Sequence, residues 1–349
     1  RMKILMVIAE EEAFKNFADT IREQLSKNSD NISFSKISES ELDIALQKSK
    51  HLRYITAIDI IISVGDTGTF LKSIFLSNGE KPVIAASSEQ ISFFTEITPN
   101  NLEEAVTSML SKSYTIDKYN RVALQDSLSN EYLPALNEIA IFPKRSAQLM
   151  SYTLTLDNNH IYRGRADGLI VSTPLGSTGY ALSANGPIAY GNPDITLIVP
   201  VNPLNKDHHP VVAPVESIIS ISNLKAKTQI EVIIDGQIRK KLDGQTIKIL
   251  KARKKANVIR ISKNVNILSR LRNRLVELDL QSLEGVPPSA KYIFKLLHTE
   301  GEMTQSEIIQ STGLPSRTVR NALKILSEKE LVGKRRYLHD ARQSIYFLI

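Results

Sequence analysis

Residues 167–187, DGLIVSTPLGSTGYALSANGP, carry the densest polar chemistry in the chain. Asp167 stands at the head of a short apolar run, residues 169–171, of buried-strand character. Behind that run come Ser172, Thr173, Pro174, Gly176, Ser177, Thr178 and Gly179, turn residues that leave backbone N–H groups and hydroxyls open. Tyr180 starts a short segment that Asn185, Gly186 and Pro187 end. Taken singly, each glycine is ordinary strand-to-helix punctuation. Together, an Asp at the start of a strand and a Gly/Ser/Thr loop at its end are built to hold a polar ligand. A second cluster is cationic: Arg317, Arg320 and Lys324 fall on one predicted helix, and Lys334, Arg335, Arg336 and Arg342 on the strands that follow. His208 and His209 are adjacent and have no acidic partner at helical spacing, so they predict loop surface rather than a metal site.

Composition bounds the elements that must position these groups. With 349 residues the chain has room for two or three domains with proper cores. Hydrophobic residues make up 42% and charged residues 23%, the mix of a soluble globular protein. No apolar run approaches the roughly 20 residues of a membrane helix. The opening apolar stretch is short and is followed at once by Glu10, Glu11 and Glu12, which predicts no signal peptide and a cytoplasmic protein. There is no cysteine, which excludes disulfides, thiolate metal sites and a cysteine nucleophile. The net charge of +7 is compatible with a polyanionic partner.

Residues 3–9 read as a buried strand. Residues 11–27 read as a helix, with Phe14, Phe17, Ala18, Ile21 and Leu25 at helical spacing. Residues 32–35 alternate like a strand and 40–48 look helical. The β-branched run 58–64 is a strand that leads into a helix ending near Ser77, and 81–86 add another strand. Strands alternating with helices predict a parallel, doubly wound α/β domain over residues 1–112. Short strands then dominate, at 122–128, 135–142, 149–156, 168–173, 195–199, 217–221, 229–234 and 246–250. They predict a β-rich second domain over 113–280. Asp235-Gly236 and Asp243-Gly244 read as hairpin turns. Leu268, Leu271, Leu275 and Leu278 predict a docked helix over 265–280, with a dimer seam as the other reading. Gly285-Val286-Pro287-Pro288 then breaks the chain. Residues 289–299, 304–311 and 316–329 read as helices, the last capped by Ser316, and 332–348 as two strands around His339-Asp340. Ten Lys/Arg against six Asp/Glu give residues 285–349 a net charge of +4.

Residues 167–187 resemble the DGLIVxTPxGSTAY signature of the NAD kinase (ATP-NAD kinase) family, with Gly179 where the family usually has Ala and Asn185 where it usually has Gly. The resemblance covers about four-fifths of the chain and ends in an FxxRLRxKL-type helix, which residues 258–275 resemble. It implies an NAD kinase-like fold, NAD or NADP as ligand, and ATP with Mg2+ if the chain is an active kinase. Phosphorylating a nucleotide hydroxyl needs a loop around the donor phosphates, a carboxylate for the hydroxyl and usually a divalent metal. The family's GGDGTxL loop corresponds to Gly65-Asp66-Thr67-Gly68-Thr69-Phe70-Leu71, where Gly65, Gly68, Thr69 and Leu71 match. The position of the family's base holds Thr67, a poor base at neutral pH, and the carboxylate has moved to Asp66. The family's GxNxGxLGFL segment corresponds to residues 85–94, without its glycines. Asn137-Glu138 match the family's NE motif, which contacts the adenosine part of the dinucleotide. Arg165 stands where family members often carry a cation near the 2′-phosphate. Asp167, Ser177, Thr178, Gly179 and Tyr180 match positions around the nicotinamide ribose, and Asp235-Gly236-Gln237 match a late DGQ motif. No residue is expected to bind a metal.

Residues 285–349 resemble an α+β winged helix-turn-helix module of transcription regulators. In such proteins the third helix reads base edges, so Arg317, Thr318, Arg320, Asn321 and Lys324 are expected to face DNA, and Arg335 and Arg336 its phosphates. Two readings follow. Thr67 and the appended module point to a dinucleotide-responsive, DNA-binding transcription regulator with weak or lost kinase activity, and this is the reading the sequence favours. The family points to an active ATP-dependent NAD kinase, making NADP from NAD, with a DNA-binding tail. Both imply a homodimer or higher oligomer, since the family is oligomeric and winged-helix regulators usually bind as dimers.

Overall fold

The computed structural model describes residues 2–47, 53–88, 92–126, 132–242, 246–261, 285–329, 331–337 and 340–348. The helix expected at 265–280 and the Asp243-Gly244 turn lie outside the described residues. The chain divides into two units, Arg1–Ile267 and Leu268–Ile349.

The first unit opens with strand β1 (Met2–Ile8), whose successive side chains enter two different cores. Ile4 and Met6 pack on one face and Leu5 and Val7 on the other. That continuous burial is the mark of a parallel sheet covered on both sides. Parallel to β1 run β2 (Ile32–Ser38) and β3 (Ile60–Val64), then β4 (Val83–Ala86) and β5 (Thr95–Ile97). Helices α1 (Glu12–Asn28) and α4 (Leu102–Leu110) cover one face. Helices α2 (Glu39–Gln47) and α3 (Thr67–Ser77) cover the other. The sheet does not end at residue 112. Strand β6 (Thr115–Tyr119) pairs antiparallel with β19 (Ala256–Arg260), and Val258 of β19 lies beside Val83 of β4. Arg260 is buried there with Glu96, Nη1 to Oε1 at 3.0 Å, and Glu96 also accepts the Ile261 N–H at 2.8 Å. A buried charge pair is tolerated only when its remaining groups are satisfied in this way.

Between β6 and β19 the chain builds two antiparallel sheets packed face to face. One contains β7 (Val122–Asp126), β8 (Tyr132–Ala135), β10 (Met150–Leu156), β11 (Asn159–Ala166), β15 (Ile219–Lys225) and β18 (Ile247–Lys251). The other contains β9 (Glu138–Pro143), β12 (Gly168–Ser172), β13 (Ile195–Val201), β14 (Val211–Pro214), β16 (Ile230–Ile234) and β17 (Ile238–Lys241). Met150, Tyr152 and Leu154 turn inward against Ile139, Leu169 and Val232, while Ser151 and Thr153 turn outward, the period of two a half-buried strand requires. A short helix, α5 (Tyr180–Ser183), follows β12.

The described residues of the second unit form three helices and a small sheet: α6 (Pro288–Glu300), β20 (Met303–Thr304), α7 (Gln305–Thr312), α8 (Ser316–Glu328), β21 (Val332–Tyr337) and β22 (Asp340–Leu348). The strand order is β20-β22-β21. Thr304 and Glu307 form a reciprocal capping box at the start of α7, and Gly313 ends that helix at φ +66°. Ser316 is not the cap of α8; it is the first helical residue, behind Pro315. Among the described residues no helix is long and apolar enough to cross a membrane.

Candidate functional site

Strand β8 ends at Ala135 and β9 begins at Glu138, so Leu136 and Asn137 form a tight joint between the two sheets. Asp235, at φ +50° in the turn between β16 and β17, braces it. Its carboxylate accepts the backbone N–H of Leu136 (2.8 Å), Asn137 (2.6 Å) and Glu138 (3.0 Å). Burial pushes the Asp235 carboxyl up to about 6, against the downward pull of those three N–H groups and of the Arg121 guanidinium. From the other side Thr173 Oγ1 donates to the Leu136 carbonyl at 2.7 Å, and the Thr173 N–H donates to the Asn137 carbonyl at 2.9 Å. Gly176 presses on the same place: a Cβ there would stand 2.1 Å from the Asn137 carbonyl oxygen. All these contacts hold the backbone of the joint and leave the Asn137 side-chain oxygen to the site. Asn137 is buried, and its Oδ1 has no hydrogen-bond partner among the described residues. Such a group costs about 1–3 kcal/mol, which suits an acceptor reserved for a ligand.

Strand β3 ends at Val64 and α3 begins at Thr67, so Gly65 and Asp66 are the whole connection. Gly65 has no room for a side chain, since a Cβ would stand 2.6 Å from Thr69 Oγ1. Asp66 caps α3, its Oδ1 accepting the Thr69 N–H at 2.9 Å and the Thr69 hydroxyl lying at 3.2 Å. The Asp66 side chain is exposed at the N-terminus of an 11-residue helix, where N–H groups and the helix dipole favour anions. Thr69 Oγ1 also donates to Glu39 at 3.1 Å, and Lys72 joins Glu39 (2.7 Å) and Asp43 (2.8 Å), which staples α2 to the first turns of α3. Burial would push the Lys72 ammonium down, but the Asp43 and Glu39 carboxylates hold it above its ordinary value. The DGQ turn reaches the same loop: the Cβ position of Gly68 lies 3.0 Å from Gln237 Oε1 and 3.2 Å from Asp66 Oδ1. Leu175, Leu136, Phe70 and Leu71 share one apolar core, so the signature turn, the joint and α3 are packed as one body. In the segment without the family's glycines, Phe94 is buried and stacks on Phe70 at 4.4 Å.

Asp167, between β11 and β12, accepts from Asn202 Nδ2 at 3.0 Å. Tyr180 opens α5 and stacks on Phe142 at 5.8 Å. Burial raises its phenol pKa, and the nearby Asp167 and Glu138 carboxylates add to the rise, so the three stand together. Gly179 lies against Glu138, with 3.3 Å between its Cβ position and Oε2. Thr178 is buried in the same turn. Ser177 Oγ is used by the fold, donating to the Pro174 carbonyl at 2.6 Å and accepting the Ala189 N–H at 3.1 Å. Asn185 takes φ +61°, a conformation in which Asn is the usual substitute for Gly.

Arg165 is not brought to this cluster; its exposed side chain lines a separate groove with Lys225 and Lys227. His208, expected on the loop surface, is half-buried and stacks on Tyr162 at 4.4 Å. Among the described residues no group of three His, Cys, Asp or Glu could hold a metal ion. In the second unit Arg317, Arg320, Asn321 and Lys324 are exposed on α8, opposite the buried Val319, Ala322, Leu323 and Leu326, and Thr318 is half-buried. Arg335 pairs with Glu302 and lies over the Phe347 ring, and the Arg336 side chain lies outside the described residues. Sequence reasoning did not single out Thr173, Asn202, Glu39 or Lys72 as site-building residues. Thr173 was visible only as a turn residue, and the others meet the site across sequence distances that no motif spans.

Residues 136–261 match the family model described as ATP-NAD kinase C-terminal domain. The chain is 30% identical to the NAD kinase of Methanothermobacter thermautotrophicus over 229 residues, 65% of this chain and 80% of that protein. It is 30% identical to the NAD kinase of Methanosphaera stadtmanae over 267 residues, 76% of this chain and 95% of that protein. Its fold resembles that of an NAD kinase from Archaeoglobus fulgidus in complex with ATP, with a TM-score of 0.60 and 24% identity over 78% of this chain and 97% of the other. It also resembles yeast NADH kinase complexed with NADH, with a TM-score of 0.68 and 18% identity over 78% of this chain and 87% of the other. These relatives favour the kinase reading of the sequence over the regulator reading. The chain belongs to the NAD kinase family.

Proposed function

We propose that the chain is an ATP-dependent NAD kinase that transfers the γ-phosphoryl group of ATP to the adenosine 2′-hydroxyl of NAD. The observation that carries this reading is the placement of Asp66. The loop has lost the family's Asp at position 67, yet Asp66 offers a carboxylate at the end of β3, on the N-terminus of α3 and beside Gln237. The helix N-terminus receives the donor phosphates. Asn137 and Glu138 hold the adenosine, and Asp167, Thr178, Gly179 and Tyr180 hold the nicotinamide ribose. The 2′-oxygen bonds to the γ-phosphorus, the bond from that phosphorus to the bridging oxygen breaks, ADP leaves, and Asp66 takes the hydroxyl proton. Magnesium arrives with ATP; it keeps several waters and needs few protein ligands. Assaying NADP formation from NAD and MgATP tests the reading. Turnover of order 1–10 per second is expected. Asp66→Asn should lower it by about 10²–10⁴, while Thr67→Ala leaves most of it. Activity that survives Asp66→Asn would remove Asp66 from the reaction.

A second reading concerns the second unit alone. We propose that it is a winged helix that binds DNA. Supporting this are the three helices and the antiparallel strand pair among its described residues, and the exposed Arg317, Arg320, Asn321 and Lys324 on α8. In a shift assay on DNA from upstream of its own gene, Arg320→Ala should relax sequence preference. Absence of any shift at physiological salt would leave the unit as a protein-interaction module.

A further inference from the structure

We propose that Arg121 is a positioning residue of the dinucleotide site, acting through the Asp235 carboxylate that braces the joint at Leu136, Asn137 and Glu138. The proposal rests on the reading of Asn137 as part of an NAD site and adds a residue that keeps that site in shape. Arg121 stands just before β7 and Leu136 just after β8. Val122 of β7 is opposite Ala135 of β8, so the two strands bring Arg121 to the joint. Arg121 is only 2% exposed. Its carbonyl accepts the Ala252 N–H at 2.8 Å, and its Nε donates to the Lys254 carbonyl at 3.0 Å. Its Nη2 lies 2.9 Å from the Cβ position of Gly79, just beyond the end of α3, where the helix dipole favours a cation. Its Nη1 has no hydrogen-bond partner among the described residues.

A buried cation with an open donor costs the fold rather than supporting it. The carboxylate that acts on this cation is Asp235. Burial pushes the Arg121 guanidinium down, while Tyr132 and Asp235 act the other way. In return the guanidinium favours the charged form of Asp235, which burial opposes. In a low-dielectric interior such a charge is felt without direct contact. The geometry of the brace shows why the charge matters. Asp235 Oδ1 accepts the Asn137 and Glu138 N–H groups, and Oδ2 accepts that of Leu136. All three partners are donors, so all three fit only a carboxylate without a proton of its own. A proton on Oδ2 would face the Leu136 N–H, and one on Oδ1 would face two N–H groups. A guanidinium stays charged at any working pH, so Arg121 is a fixed source of the field this carboxylate needs. Without it Asp235 takes up a proton, one strut of the brace opens, and the Asn137 side chain loses its fixed place.

Hydrogen exchange and NAD calorimetry on the full chain test the proposal together. Exchange of the Leu136, Asn137 and Glu138 amides reads the brace without any ligand. In Arg121→Met it should speed up about tenfold at those three amides, while the amides of β1 exchange as in the wild type. NAD affinity should fall about tenfold in Arg121→Met. It should return close to the wild-type value in Arg121→Lys, which restores the cation without the fork. In an Asp235→Asn background, Arg121→Met should lower NAD affinity no further, because the carboxylate it acts through is gone. Should Arg121→Met fail to fold, Arg121→Lys decides: a folded variant that keeps NAD affinity supports the proposal, and one that loses it overturns it. Unchanged exchange at the three amides in a folded Arg121→Met overturns it as well. So does an equal loss of affinity with and without the Asp235 carboxylate. Failure of the NAD site itself is seen apart from these results. A wild type that binds no NAD, while exchange at the joint still follows Arg121, confines the residue to the brace and overturns its part in binding.

Discussion

Asn137 and Asp235 are both buried polar residues of the site, and opposite outcomes are expected when they are cut back. The Asn137 Oδ1 atom satisfies nothing in the described structure, so Asn137→Ala should cost the fold little. It should weaken NAD binding by roughly tenfold, read by calorimetry beside a thermal melt. Loss of melting temperature without loss of affinity would make Asn137 a structural residue. Asp167→Ala should likewise weaken NAD by roughly tenfold or more, because it removes a charged acceptor held in place by Asn202. Residue types alone made Asn137, Asp167 and Tyr180 legible, since they stand inside matched motifs. They could not say which polar atoms the fold itself consumes. Ser177 matches as well as Thr178 does, yet its hydroxyl is taken up by Pro174 and Ala189. That distinction rests in part on Ala189, twelve residues away and outside the motif.

The turn between β16 and β17 acts at the scale of elements, because one carboxylate in it fixes the joint between β8 and β9. Asp235 has its carboxyl raised from 3.8 to about 6, so the folded protein holds its proton more tightly than the unfolded chain does. The stability this group contributes is therefore present below about pH 4 and is lost as pH rises through about 6. Melting curves should show wild type losing ground to Asp235→Asn across that window, by up to about 3 kcal/mol. A constant difference between the two proteins from pH 4 to 7 would contradict the shift. Elements with strong periodicity were legible: α1 buries Phe14, Phe17, Ala18, Ile21 and Leu25, the five positions its spacing predicts. Strand β11 was not, because its outward positions are polar and Gly164 interrupts the pattern. The structure gives the reason for that glycine: a Cβ would stand 2.9 Å from the Tyr152 hydroxyl oxygen. Helix α4 was missed for another reason. It has only nine residues, and its start is prepared by a capping box on Thr98 one turn upstream.

If the chain binds both NAD and DNA, as proposed, the two ligands must obey linkage. If NAD changes DNA affinity by five- to a hundredfold, DNA must change NAD affinity by the same factor, and calorimetry with and without DNA should return matching ratios. Equal NAD affinity in both conditions would make the two units independent binders on one chain. The chain path sets a further condition on the molecule, this time during synthesis. The β-rich pair of sheets is bracketed by β6 and β19, which lie side by side at one edge of the first sheet. That edge of β4 cannot meet Val258 until β19 has left the ribosome, roughly 170 residues after β4 itself. At about 5–20 residues per second this is on the order of 10–30 s. Through that interval β4 has β5 along part of its edge and nothing from β19 along the rest. An open strand edge is a template for wrong pairing. The nascent chain is thus most exposed to aggregation while its β-rich half is being made, and a stall or truncation between residues 119 and 256 should yield inclusion bodies rather than a soluble N-terminal fragment.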